Sequence, residues 1–323
     1  MNHPLLGAME AGIGSKEVEQ NNIVTAAGEK PDKGLALAYL AIFAAVLFWG
    51  LSFVASKIAL ETIPIFTLIF IRFFLAALLF TGIWLKTGFP RLLKKDWIKI
   101  TLLSLFEPGL YFYCETKGLS LTSAPKASLI IATIPVFVLV AAVFFLKEKA
   151  SRLNFMGVAV SLAGIGILVA GGREIEWSLS GEMLGDALVF GAVIAASIYI
   201  IMARDLGLTH SALTITGLQS LFAATLYLPA FIWEFPQVKW EGLTSHSLWA
   251  LCYLVIFATC AAFFCWNYSL TKIRASSASV FLNGIPVVTA LAAWVLLKES
   301  LNAAQMSGGA LTLIGVYMAN MRR

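Results

Sequence analysis

Glu107 falls in the middle of an apolar stretch, directly before Pro108, and Tyr111, Cys114 and Glu115 follow it at spacings of four, seven and eight residues. In a helix these side chains share one face. An acidic and aromatic stripe on an otherwise apolar helix points to a polar cavity, and a carboxyl at membrane depth is suited to exchanging protons. Pro108 lacks an amide hydrogen and opens the helix locally. The alternative for Glu107 is a structural ion pair with Arg72, and for Glu115 a solvated place near the outer surface. Arg72 lies eight residues past Pro64, ~12 Å along a helix. There its guanidinium either binds a carboxylate bidentately or serves as a structural Arg bonded to backbone carbonyls or a neighbouring helix.

Trp49, Ser52, Tyr199, Gln219, Trp266, Asn267 and Asn283 are further polar or amphipathic side chains within apolar runs. They can stack on or hydrogen-bond a small organic ligand, or serve helix packing and interhelical hydrogen bonds. Pro135 and Pro286 stand at matched places as candidate helix breaks, which mark a binding site at the midplane or a packing kink. Asp186 sits in the first turn of its helix, where a carboxylate favours the positive end of the dipole. Trp84, Trp97, Trp233 and Trp249 lie near the ends of apolar runs and are assigned to interfacial belts. His3, His210 and His246 fall in tails or loops, and the four cysteines sit inside apolar stretches as small hydrophobes. No metal site and no cofactor is expected. An intramembrane enzyme would need a nucleophile with a base, or a metal site, and no HExxH or paired-Asp arrangement supplies one.

The elements that position these residues follow from composition. Of 323 residues 59% are hydrophobic and 13% charged, about half the charge of a soluble domain, so the chain is read as a multi-span membrane protein. The net charge of +5 is spread between apolar runs without a clustered patch, which excludes nucleic acid as a partner. Residues 1–34 are polar and Gly-rich without an apolar signal region, and are expected to be a disordered cytoplasmic tail. A helix needs about 20 apolar residues to cross a bilayer, and ten segments qualify: Leu35 to Ser56, Ile65 to Leu85, Ile98 to Lys117, Pro125 to Leu146, Leu153 to Ala170, Gly181 to Ala203, Ser211 to Trp233, Leu248 to Leu270, Ala275 to Leu297 and Asn302 to Asn320. With the N-terminus inside, cytoplasmic segments carry sixteen Lys and Arg and outer loops six, among them Lys57, Lys126 and Lys298. Both termini are therefore expected in the cytoplasm, with the bilayer of the cell (plasma or inner) membrane as the surrounding partner.

Sliding the chain against itself by 151 residues aligns 111–166 with 262–317 without a gap, with 18 of 56 positions identical. Ile134-Pro135-Val136 meets Ile285-Pro286-Val287, and Leu146-Lys147-Glu148 meets Leu297-Lys298-Glu299. Each half holds five spans, an odd number, so equivalent helices run in opposite directions. The expected fold is all-α integral membrane: ten transmembrane helices as two inverted five-helix repeats, 35–171 and 181–323, joined by an outer linker at 172–180. Inverted repeats are typical of secondary transporters, with the substrate between the halves.

The run Trp49-Gly50-Leu51-Ser52-Phe53, the Arg72-Phe73 pair, the endings IPVFVLVAAVFFLKEK and IPVVTALAAWVLLKES, and the Gly-rich fifth and tenth spans resemble the EamA domains of the drug/metabolite transporter superfamily. Residues 107–115 resemble an EPxxYFxxE variant found in part of that superfamily. The resemblance implies a ten-helix, two-repeat carrier that moves small metabolites, often exporting amino acids or their analogues. The embedded Glu107 suits protons as a coupling ion, with uniport or exchange without protons as the alternative. A nucleotide-sugar or sugar-phosphate carrier is the alternative, and it calls for several Lys or Arg in the cavity where only Arg72 is clearly embedded. A passive channel fits an inverted duplication less well.

Overall fold

The computed structural model describes residues 33–146, 151–170 and 181–321. The tail before residue 33, Lys147-Glu148 and the linker 172–180 lie outside the described residues, which are helical and contain no strand.

Uninterrupted helices are α1 (Lys33–Leu60), α2 (Ile65–Thr87), α7 (Arg152–Ala170), α8 (Gly181–Gly207), α9 (Ala212–Glu234) and α14 (Ala303–Asn320). The other four apolar segments are broken. The third runs as α3 (Lys94–Ser104), a wide π-type turn over Leu105–Leu110, then α4 (Tyr111–Leu121). Glu107 is extended there (φ −145°, ψ 119°) and its peptide bond to Pro108 is cis. The fourth divides into α5 (Ala124–Ile131) and α6 (Ile134–Leu146). The eighth comprises α10 (Ser245–Tyr253), a second π-type segment over Leu254–Ala261, and α11 (Ala262–Lys272). The ninth has a short α12 (Ala275–Ser279), a 3-10 stretch over Val280–Gly284, and α13 (Ile285–Leu296). Pro135 and Pro286 are the second residues of α6 and α13, where a missing amide hydrogen is not needed.

Among the described residues eight helical stretches are long and apolar enough to cross a membrane. Residues 94–121 fall outside that set because Lys94, Lys95, Asp96, Lys99, Glu107, Glu115 and Lys117 punctuate them, and α14 because Gln305, Ser307 and Asn320 dilute its apolar character.

Glycine sets the closest helix contact. A Cβ on Gly157 would stand 2.2 Å from the Ala319 nitrogen, one on Gly164 2.4 Å from the Thr312 nitrogen, and one on Gly315 2.2 Å from the Ser161 nitrogen. Rising numbers on α7 meet falling numbers on α14, so the two run antiparallel, backbone against backbone, as small residues permit within a bilayer. Asn154 Nδ2 ties their ends by donating to the Ala319 carbonyl at 2.7 Å.

Helix α1 spends its polar contacts on the second half of the chain. Trp49 Nε1 donates to the Ala258 carbonyl (3.2 Å), while the Phe48, Gly50 and Ala38 carbonyls accept from Tyr253 (2.9 Å), Thr289 (2.8 Å) and Ser269 (2.8 Å). Helix α8 leans the other way. Gly185 and Gly118 meet where α8 crosses α4, and beside them Asp186 accepts from Thr122 (2.8 Å) and pairs with Lys126 (2.6 Å), which also reaches Glu182 (3.0 Å). Two sequence expectations change here. Lys126, counted as an outer-loop charge, is buried in the first turn of α5, and Asp186 serves an ion pair instead of a helix dipole, because a cation at this depth needs a carboxylate within reach.

Carboxylates also cap helices from a distance. Pro64 offers α2 no side-chain cap, and Glu234 supplies one by accepting from the Thr67 amide (2.6 Å) and hydroxyl (2.8 Å). Glu299 accepts from the Ala124 amide at the start of α5 (2.8 Å) and pairs with Lys57 (3.4 Å). Of the four belt tryptophans, Trp97, Trp233 and Trp249 are exposed, whereas Trp84 is buried against Gly217, whose missing Cβ leaves room for the indole.

Gly315→Ala is expected to lower thermal stability in detergent by about 1–3 kcal/mol through overpacking against α7, whereas Gly166→Ala, on an open lipid-facing position, is neutral or stabilising. Lys126→Met strands the buried Asp186 carboxylate and is expected to cost about 3 kcal/mol. Adding Asp186→Asn should recover part of that loss in the same unfolding measurement.

Candidate functional site

The breaks at Glu107 and at 280–284 face one another across a partly open cleft of about 550 Å³, a volume that takes in open solvent at its mouth. Seven helical stretches shape it, and eight of the residues singled out from the sequence line it: Trp49, Ser52, Arg72, Glu107, Tyr111, Glu115, Tyr199 and Trp266. Glu115 is buried and lines the cleft, so its alternative place near the outer surface does not hold.

The walls are aromatic. Trp49 packs on Trp266 (5.4 Å between centroids) and edge-on against Phe263 (5.3 Å). Phe112 meets Phe73 edge-to-face at 4.8 Å and takes the Arg72 guanidinium over its ring at 4.8 Å, a cation–π contact strengthened where water is scarce. Arg72 Nε donates to the Thr259 hydroxyl at 3.2 Å. Among the described residues no carboxylate lies within 4.0 Å of the guanidinium, so the Arg72–Glu107 ion pair is not formed. Arg72 lines the cleft, and among the described residues its two terminal nitrogens keep their donors unspent. Glu115 accepts from Thr116 at 3.1 Å. Trp266 is buried with its indole N–H unpartnered, a donor that a ligand acceptor can satisfy.

Gln219 and Asn267 stand behind the wall instead of lining it. Tyr199 Oη donates to Asn267 Oδ1 (2.9 Å), and Asn267 Nδ2 donates to Gln219 Oε1 (3.0 Å) and Thr216 Oγ1 (2.9 Å). Gln219 Nε2 in turn donates to the Glu107 carbonyl (3.0 Å). Tyr227 donates to the carbonyl of Gly109. Carbonyls at the helix break are thus satisfied by α9, as the absence of water within a bilayer requires. Asn283 does not line the cleft either; its carbonyl oxygen is buried without a partner, one residue from Leu282, which does. Pro135 and Pro286 each follow a lining residue, Ile134 and Ile285.

The lining residues not singled out from the sequence are mostly apolar: Phe53, Phe112, Ile131, Ala196, Ile200, Phe263 and Leu282, with Ile134 and Ile285. Helical spacing carries a signal for several of them. Phe53 stands four residues after Trp49, Ala196 three before Tyr199, and Phe263 three before Trp266, each on the face of a residue already marked. Thr259 gave no such signal, since only a broken helix turns it toward Arg72.

A cleft with one guanidinium, two carboxylates and a free indole N–H inside aromatic walls suits a small polar organic molecule carrying both acceptor and donor ends. Among the described residues no group of three or more His, Cys, Asp or Glu is placed to hold a metal ion.

Comparison with known proteins agrees with this architecture. The model of the EamA-like transporter family matches residues 36–170 and 183–321. The uncharacterized transporter YetK of Bacillus subtilis (strain 168) is 26% identical over 288 residues, 88% of this chain and 87% of its own. An uncharacterized transporter of Archaeoglobus fulgidus is 29% identical, with 86% of this chain and 96% of its own covered. A probable terminal-alkyne amino-acid exporter of Streptantibioticus cattleyicolor is 25% identical over 89% of this chain and 95% of its own. A crystal structure at 19% identity superposes with a TM-score of 0.63, covering 87% of this chain and 96% of that one, and shares the fold. With matches that take in both halves of the molecule, the chain belongs to the EamA-like transporter family and is a multi-pass membrane transporter of that type.

Proposed function

We propose that the protein is a secondary transporter that exports amino acids or their analogues across the cell membrane by alternating access around this cleft. The observation that carries the reading is that one cleft is lined by Arg72, Glu107, Glu115 and Trp266, whose indole N–H is unpartnered. A substrate carboxylate takes the two terminal guanidinium nitrogens of Arg72 and the Trp266 N–H. The ammonium goes to the carboxylates, and the side chain rests on Trp49 and Phe263. The similarity to a protein named as a probable terminal-alkyne amino-acid exporter supports the same class. Among the described lining residues Arg72 is the only Lys or Arg, which disfavours a nucleotide-sugar or sugar-phosphate cargo.

The wider arrangement in this reading is ten crossings in two inverted five-helix repeats, 35–171 and 181–323, with both termini cytoplasmic. Glu107 acts as the proton carrier, because its carboxyl lines the cleft with no cation paired to it among the described residues.

A thermal-shift screen of the purified protein against amino acids, amino-acid analogues, nucleotide sugars and cationic drugs tests the cargo class. An amino acid at a hundred times its Kd is expected to stabilise the protein by about 2.7 kcal/mol, and stabilisation by phosphorylated sugars alone overturns the reading. In liposomes the flux of that amino acid saturates and shows counterflow, whereas linear flux to high concentration contradicts a carrier. Glu107→Gln is expected to abolish pH-gradient-driven transport while substrate exchange continues. A variant that still follows the gradient removes Glu107 from proton coupling.

A further inference from the structure

Helices α2 and α9 are both 23 residues long, and their eighth residues are Arg72 and Gln219. Each reaches into a broken helix of the other half of the chain. Gln219 Nε2 donates to the Glu107 carbonyl at 3.0 Å, within the π-type turn Leu105–Leu110. Arg72 Nε donates to the Thr259 hydroxyl at 3.2 Å, within the π-type segment Leu254–Ala261. The shift of 151 residues that aligns 111–166 with 262–317, extended upstream, carries 105–110 onto 256–261, whereas Arg72 and Gln219 stand 147 residues apart and correspond by their place in the helix. Even the donor atoms match: Nε of arginine and Nε2 of glutamine stand the same number of bonds from Cα.

At Glu107 the backbone leaves the helix, and within a bilayer the carbonyls freed there have no water to turn to. Over Leu254–Ala261 the helix continues but winds more widely, which alters the carbonyl ladder locally. A buried Gln or Arg is costly unless its hydrogen bonds are made, and both side chains make theirs at these breaks. Both are also locked from behind. Gln219 is held by Asn267, which bonds Thr216 and Tyr199 as well, and the Arg72 guanidinium rests on the Phe112 ring.

We propose that Arg72 and Gln219 are equivalent positioning residues, each latching the helix break of the opposite half, and that Gln219 sets where the Glu107 carboxyl stands without touching the cargo. The latch on Arg72 uses only Nε and leaves the terminal nitrogens for a ligand. The inference holds whatever the cleft carries, and its test needs no substrate.

Hydrogen–deuterium exchange of the purified full chain in detergent reads each break separately. Gln219→Met is expected to speed exchange in peptides over 104–111 by about tenfold, the effect of one buried carbonyl losing its donor, and to leave 254–261 within about twofold of wild type. Arg72→Met, which leaves the Thr259 hydroxyl without its donor, is expected to speed exchange over 254–261 and to leave 104–111 within about twofold of wild type. Arg72→Gln, which keeps a donor at the Nε position, restores protection over 254–261. Should Gln219→Met not accumulate as folded protein, Gln219→Asn, which retracts the donor by one methylene, is expected to give the same local acceleration over 104–111. Equal acceleration of both segments in either single variant, no acceleration in either, or failure of Arg72→Gln to protect where Arg72→Met does not, overturns the proposal.

Discussion

A backbone carbonyl or amide in the hydrocarbon layer has no water to bond, so every departure from helix must be satisfied from within the protein. That constraint governs the arrangement around the cleft. The chain departs from regular helix at Glu107–Pro108, at 132–133, over 254–261 and over 280–284, and the first three meet polar side chains from helices distant in sequence. Gln219 and Tyr227 serve the first break, Trp49 and Arg72 the third, and at the second the Ile134 carbonyl accepts from Ser197 at 3.5 Å. The polar residues that make the site interesting chemically are thus in large part the ones that make its irregular backbone possible. Function and fold draw on the same side chains here, and an intramembrane Gln or Arg has two roles to weigh before a ligand is assigned to it.

The cleft also concentrates charge where the bilayer tolerates little. Two carboxylates and one guanidinium share an aromatic cleft with no direct ion pair among them in the described residues. Elsewhere the buried Lys126 is neutralised by Asp186. Leaving the cleft groups apart keeps their hydrogen-bonding capacity open, which is what a site that takes and releases a polar molecule requires.

Much of this was legible in the chain itself. The apolar segments mark every helix, because a bilayer imposes a length and a polarity that composition records directly. Tyr111 and Glu115, at helical spacing, line the cleft with Trp49, Ser52, Tyr199 and Trp266. Glu107 reaches it from a break that helical spacing does not foresee, and Cys114, expected on the same face, does not line it. What the sequence hid were relations between distant segments. Gln219 and Asn267 look like ligands in isolation and become supports only when Glu107 and Tyr199 are placed beside them. Lys126 looked like a loop charge because its partners Asp186 and Glu182 lie some sixty residues away. Trp84 looked interfacial because the room it fills comes from a glycine on another helix.

Helix α1 has a consequence for how the molecule is made. Its carbonyls and its indole are met by partners 189 to 239 residues further along the chain, while α8 pairs back onto α4, α5 and α6. At a synthesis rate of about 5–20 residues per second, α1 waits roughly ten to fifty seconds in the membrane before the helices that hold it emerge. The hydrogen bonds of α1 therefore lace the two halves together, and they can close only once the second half has emerged.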